Sequence, residues 1–333
     1  MSWIRESLSL RVSESQLLCL DQTLLPHQEV WQEGTHPDQM EALIQNLQVR
    51  GAPLIGVAAV LCLGLFAQKQ NPSEEEFRRQ ALRLRESRPT AVNLMRAIDR
   101  LLEKSSDGAA ALFAEALEIF DEDVALCAAI GKNGAELIVD GEGVLTHCNT
   151  GGLATVGMGT ALGVITTSFT QGKKIHVYVD ETRPLLQGGR LNTWELEKAK
   201  VPYTLICDNM AGFLMSKGKV QKVIVGADRI AMNGDFANKV GTYSLAVLCK
   251  HHGIPFYTAA PATTLDPDCE SGSNIPVEER AADEVRRDWA PKSAPVWNPA
   301  FDVTPAELVS GWILDKEVVS FEDVQKGRLK ELV

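Results

Sequence analysis

From His36 to about residue 138, apolar residues recur at the three- and four-residue spacing of amphipathic helices. The spacing predicts helices over 38–48, 54–68, 74–85, 90–104, 107–119 and 121–138. Ahead of them, SLSLRV and QLLCLDQTLLP carry short alternating and apolar runs that break at Pro26, as the strands of a small sheet do. VRGAPLIG, residues 49–56, interrupts the helical pattern with a Gly and a Pro. Beyond residue 140 the pattern changes. Short β-rich apolar runs at 143–147, 175–179, 203–207, 222–225 and 255–259 alternate with helical stretches at 153–168, 190–200, 209–217 and 238–252. That alternation predicts a parallel, doubly wound sheet. The chain is therefore expected to be α/β in two parts: a mainly helical domain with a small sheet over 1–138, and a parallel-sheet domain over 139–333. The tail from Asp315 reads as one more strand and a charged end.

Composition narrows the function. A chain of 333 residues is longer than one core usually covers, in keeping with two domains. A net charge of -11 and a pI near 5.1 argue against nucleic acid and anionic membrane as the main partner. The seven cysteines are odd in number and form no C-x-x-C pair, which argues against a disulfide framework or a zinc knuckle and suits a reducing compartment. MSWIRESLSLRV lacks the apolar core of a signal peptide, and no run reaches the roughly 18 apolar residues of a membrane span. The expected location is cytoplasmic, with no metal.

In open parallel sheets, ligands bind outside the carboxyl ends of the strands. The residues just past the expected strand ends are Cys148, Asp180 with Glu181, Asp208, Asp228 and the Ala260-Pro261 turn. In GVLTHCNTGGLATVGMGTALG, Cys148 is expected between a strand's end and a helix's start, where free N–H groups and the helix dipole favour phosphates and thiolates. A cysteine is also a common inert core residue. Gly157, Gly159 and Gly163 read G-x-G-x-x-x-G, one residue longer than the dinucleotide fingerprint, so NAD is not favoured. Asp228 follows an apolar strand and two small residues; desolvation there raises a carboxyl pKa and makes it a proton donor, although an Asp at that place also caps helices. Asn238 and Lys239 are expected to open the next helix and hold a phosphate. Arg183, Gln187 and Arg190 lie in a loop suited to hydroxyl and phosphate oxygens, or to ordinary salt bridges. Arg50 sits at the Gly51–Pro53 bend and Arg88 beside Pro89. These residues point to a phosphorylated, polyhydroxylated small molecule handled by a thiol and an acid without a cofactor.

The same motifs, LDQTLLP, VRGAPLIGVAAV, SRPTAVNL, THCNTGGLATVGMGTALG, VDETRPLLQGGRLNTWEL, CDNMAGFLM, VGADRIAMNGDFANKVGTYSLAVLCKHHGIPFYTAAP, IPVEER and NPAFDVTPAELVSGWI, resemble the methylthioribose-1-phosphate isomerase family over nearly the whole chain. The resemblance implies an aldose–ketose isomerase of methionine salvage that converts 5-methylthioribose 1-phosphate to 5-methylthioribulose 1-phosphate. It implies Cys148 and Asp228 as catalytic residues, and Arg50, Gly51, Ala52, Arg88, Gln187, Asn238 and Lys239 as substrate ligands. It also implies a Rossmann-like second domain and a homodimer. Gly152 stands where many members have Ala or Ser.

Two other readings share these residues. The fold family includes regulatory subunits of the translation-initiation exchange factor, which bind partners and carry no isomerase chemistry; loss of the Cys–Asp pair and of the RGAP turn is expected there, and all are present here. A related isomerase acting on 5-deoxyribose 1-phosphate or ribose 1,5-bisphosphate is the nearer rival. A second phosphate needs extra cations near the fifth carbon, whereas a methylthio group needs an apolar wall.

Overall fold

The structure is a computed structural model and describes residues 2–88 and 91–333. The chain divides into two compact units, Met1–Ala128 with Gly151–Gly159, and Ala129–Thr150 with Thr160–Val333.

The first unit begins with an antiparallel sheet whose strands follow chain order: β1 (Arg5–Glu6), β2 (Leu10–Val12), β3 (Leu17–Leu20) and β4 (Trp31–Glu33). Helices α1 (Pro37–Gln45), α2 (Ala52–Gln70), α3 (Glu74–Glu86), α4 (Val92–Glu103) and α5 (Ala109–Ala135) follow. Their starts are written in the sequence. A reciprocal His36–Gln39 capping box opens α1, and Ser73 caps α3 ahead of three glutamates that complement the helix dipole. The expected helices at 107–119 and 121–138 are one continuous helix. No Gly or Pro separates them, and Asp121 and Glu122 simply occupy an exposed face.

One expectation about membranes is corrected. Helix α2 is long and apolar enough to cross a bilayer, with mean hydropathy 1.7, but 83% of that stretch is buried inside the protein. It is the central helix of the first unit's core, packed by α1, α3 and α4 and by residues such as Met40, Phe77 and Leu94. A helix apolar on every side is what such a position requires.

The second unit carries β5 (Gly143–Thr146), α6 (Ala161–Thr170), β6 (His176–Asp180), α7 (Thr193–Lys198), β7 (Tyr203–Ile206), α8 (Ala211–Ser216), β8 (Lys222–Val225), β9 (Arg229–Ala231), β10 (Phe236–Lys239), α9 (Thr242–His252), β11 (Phe256–Ala259), β12 (Leu265–Asp266), α10 (Asp283–Arg286), β13 (Phe301–Thr304), β14 (Gly311–Ile313), β15 (Val318–Ser320) and α11 (Phe321–Gln325). Seven strands form the main sheet in the order β15-β14-β11-β8-β5-β6-β7, parallel except for β15. This is the expected parallel α/β sheet, with apolar clusters on both faces, one around Val223, Phe256 and Trp312 and the other around Val144, Val164 and Ile224. A second sheet, β12-β9-β10-β13, was not anticipated. Its strands are two to four residues long, too short for period-two alternation to register, although Asn233-Gly234 marks the β9–β10 turn.

Candidate active site

β5 and β8 pair at the centre of the main sheet although β6 and β7 come between them in the chain. The chain winds one way from β5 and then returns to wind the other, and in open parallel sheets such a reversal, outside the carboxyl ends of the strands, is where ligands bind. Cys148 lies just past β5, and Asp228 just past β8 behind Gly226 and Ala227. The two residues proposed for chemistry from the sequence thus follow neighbouring strands at the reversal of strand order.

Cys148 is 6% exposed and has φ 66°, a left-handed backbone. Its N–H donates to Thr182 Oγ1 at 2.8 Å, and the N–H of Thr150 donates to Asn192 Oδ1 at 3.2 Å. The expected helix at 153–168 begins only at Ala161, which removes the helix terminus from beside the thiol. Glycines at 151, 152, 157 and 159 disfavour helix, and Gly151 pairs instead with Gly159. The local environment of Cys148 is therefore made by side-chain acceptors rather than by a helix dipole.

His147 precedes the thiol and is fully buried. Its Nδ1 lies 2.9 Å from Asp180 Oδ2, and its Nε2 lies 3.0 Å from the Val240 carbonyl. A carbonyl only accepts, so Nε2 carries hydrogen, and the Nδ1–Oδ2 contact holds a second proton. Burial pushes Asp180 up to about 6. Burial is the largest effect on His147 and opposes its charge, but the Asp180 carboxylate, Asp208 and the Val240 carbonyl together outweigh it and hold the imidazole above its ordinary value. Asp208 accepts the N–H groups of Thr182 and Arg183, both at 2.7 Å. His147, Asp180 and Asp208 each offer a ligand atom within 4.8 Å of the others. Those groups are engaged in the hydrogen bonds just described, which make a positioning network of the trio. Sequence reasoning placed Asp180 and Asp208 on the rim but passed over His147, whose only signal was its place beside Cys148.

The other expected ligands fall on different elements. Gln187 is 2% exposed, immediately ahead of a π-helical turn at Gly188–Asn192, and its Oε1 meets no hydrogen-bond partner among the described residues. A buried acceptor of this kind is a fitting contact for a ligand hydroxyl. Asn238 and Lys239 do not open a helix, contrary to expectation. Both lie on β10, buried, with α9 starting at Thr242. Ladder pairing with β13 holds them extended. Asn238 Nδ2 donates to Thr242 Oγ1 at 3.0 Å, and Lys239 Nζ to the Ala300 carbonyl at 2.7 Å. Asp228 is half-buried, and its N–H donates to the Ala237 carbonyl at 2.9 Å.

In the first unit, Arg50 occupies the loop before α2, Gly51 is that helix's N-cap and Ala52 its first residue. Gly51 has φ 101°, and a Cβ there would stand 2.6 Å from the Ala154 Cα, so only glycine fits. Arg88 is half-buried after α3; its neighbour Pro89, with Thr90, lies outside the described residues.

Residues 48–319 match the Initiation factor 2 subunit family. The chain is 54% identical over 332 residues to the methylthioribose-1-phosphate isomerase of Citrobacter koseri, with 97% of each chain covered. Among solved structures it is similar to 5-methylthioribose 1-phosphate isomerase from Pyrococcus horikoshii, at 39% identity and a TM-score of 0.90 over 99% of this chain and 97% of that one. It is also similar to a protein from A. fulgidus described as translation initiation factor eIF-2B, subunit delta, at 39% identity and a TM-score of 0.86 over 98% and 99% of the chains. With the strand order, the thiol turn and this full-length identity in hand, the chain belongs to the methylthioribose-1-phosphate isomerase family, within the wider initiation factor 2 subunit family.

Proposed function

We propose that the protein converts 5-methylthioribose 1-phosphate to 5-methylthioribulose 1-phosphate, the aldose–ketose isomerisation of methionine salvage. The observation that carries this reading is the 54% identity to an isomerase of that name along nearly the full chain. The placement of Cys148 and Asp228 past neighbouring strands supports it.

The substrate's phosphate sits on the anomeric oxygen, so the ring cannot open as a free aldose does. Asp228, in its acid form, donates a proton to the ring oxygen as the bond from that oxygen to the first carbon breaks. Hydrogen then moves from the second carbon to the first, the second carbon becomes the ketone, and the proton of its hydroxyl returns to the Asp228 carboxylate, which restores the acid. In a proton route, Cys148 takes the hydrogen from the second carbon and a phosphoenolate stands between; in a hydride route, Cys148 stabilises the charge on the first carbon. Either way the reaction is internally balanced in electrons and needs no redox cofactor. Gln187, Asn238, Lys239, Arg50, Gly51, Ala52 and Arg88 are the proposed substrate contacts, on family resemblance. The proposed catalytic domain is the Rossmann-like part over 139–333.

We also propose a cytoplasmic homodimer. Seven free cysteines, six of them buried and Cys207 exposed, suit a reducing compartment. Leu205 on the edge strand β7, Met210, Phe213 on α8, and Tyr243 and Val247 on α9 are large apolar side chains left exposed, Phe213 by 67%. Such patches mark association surfaces.

The test is turnover of 5-methylthioribose 1-phosphate beside 5-deoxyribose 1-phosphate and ribose 1,5-bisphosphate, for wild type, Cys148→Ser and Asp228→Asn. Preference for the methylthio sugar, lost in both folded variants, is the expected result. Deuterium from solvent in the product carbon supports the proton route and counts against direct hydride transfer. An inactive wild type gives the ground to the regulatory-subunit reading, which the similarity to the eIF-2B delta structure favours.

A further inference from the structure

Cys148 and Thr182 are both non-glycine residues with left-handed backbone, φ 66° and 65°. For a β-branched residue that conformation is a true outlier, and it persists only where surrounding structure enforces it. The enforcement of Thr182 is visible: the Asp208 carboxylate accepts its N–H and that of Arg183. The hydroxyl of Thr182 donates to the Asp180 carbonyl at 3.0 Å. Its one hydrogen is thereby committed, so the oxygen can only accept toward Cys148, and it takes the Cys148 N–H at 2.8 Å. Thr182 is wholly buried, so no solvent competes for that bond. Ten residues on, Asn192 at the end of the π-helical turn takes the Thr150 N–H through Oδ1. π-turns are themselves concentrated at functional sites.

We propose that Thr182 is the positioning residue of the reactive thiol: its strained backbone is anchored through its N–H to Asp208, and its hydroxyl fixes the left-handed turn at Cys148, with Asn192 holding the same turn two residues further on. The inference rests on the reading of Cys148 as the residue that meets the reacting carbons. Thr182 itself touches no substrate. Its effect is on the chemical step, because a misplaced group loses rate without losing ground-state binding.

The experiment compares Thr182→Ser, which keeps the hydroxyl, with Thr182→Val, which keeps the shape and loses the acceptor, in the full chain. Two readouts are taken: kcat and KM on 5-methylthioribose 1-phosphate, and the rate of iodoacetamide alkylation of Cys148 by peptide mass mapping, with the exposed Cys207 as internal reference. Expected are wild-type-like behaviour for Ser, and for Val a fall in kcat of roughly 30-fold or more with KM nearly unchanged. The Cys148 alkylation rate shifts several-fold in Val while that of Cys207 stays. If Val fails to fold, Thr182→Gly carries the test, since glycine relieves the left-handed strain while removing the same oxygen. Full kcat and unaltered Cys148 alkylation in Val or Gly, or equal damage in Ser and Val, overturns the proposal. Should the wild type prove inactive on the sugar, the isomerase reading fails, and the alkylation comparison still decides whether Thr182 sets the thiol.

Discussion

Asp123 on α5 is 6% exposed, and its Oδ2 accepts the Val156 N–H at 2.7 Å. The Gly157 N–H bonds the carboxylate too, and Cys127 Sγ lies 4.0 Å away. These bonds pin the loop 151–159, which starts three residues after Cys148, to the helical unit. Burial is the larger effect and pushes the carboxyl up from 3.8 to about 6, with the two N–H donors acting against it. The folded state therefore holds this proton more tightly than the unfolded chain, where an Asp titrates near about 3.9. The associated stability is fully present below about pH 4 and is lost as pH rises through about 6. A difference of about two units at 1.36 kcal/mol each is about 3 kcal/mol. Asp123→Asn keeps one acceptor and cannot titrate. Guanidinium unfolding of both proteins at several pH values, with matched m-values, is the assay. The wild type should lose about 3 kcal/mol relative to the Asn variant between about pH 4 and pH 7, opposite in sign to ordinary acid denaturation. Parallel stability curves across that range would refute the reasoning, because they would mean that Asp123 titrates alike in both states.

Other substitutions test the geometry. Gly188→Ala would place a Cβ 1.9 Å from the Asp180 carbonyl oxygen, so the turn carrying Gln187 must move; kcat should fall at least tenfold, measured on protein whose circular dichroism is unchanged. Gly51→Ala meets both a positive φ and the Ala154 backbone, and thermal unfolding should report a loss of about 2 kcal/mol or more. Phe213→Glu puts a charge on the exposed apolar row and should convert the proposed dimer to monomer in light scattering, whereas an unchanged mass would exclude that surface as the interface.

Much of the architecture was legible because it is local. The core strands Lys222–Val225 and Gly143–Thr146 match the expected runs to within a residue, and α3 and α4 to within two. Periodicity failed where tertiary pairing overrides it. Asn238 and Lys239 read as a helix start but are held extended by pairing with β13, which lies some sixty residues further along the chain. The turn after Cys148 read as helix and is instead a glycine-rich loop.

Motifs and short-range periodicity need no partner, and they carried the family and the parallel α/β character of the second half and singled out Cys148 and Asp228 as the proposed catalytic pair. Which strands are neighbours depends on the packed chain, and so does the finding that Cys148 and Asp228 follow adjacent strands where the winding reverses. The packed chain likewise pairs His147 with Asp180, 33 residues away, and bends Thr182 into a left-handed turn to receive the Cys148 N–H. Those contacts depend on strand order and on side-chain direction at buried positions, and neither is encoded in the spacing of residues along one element.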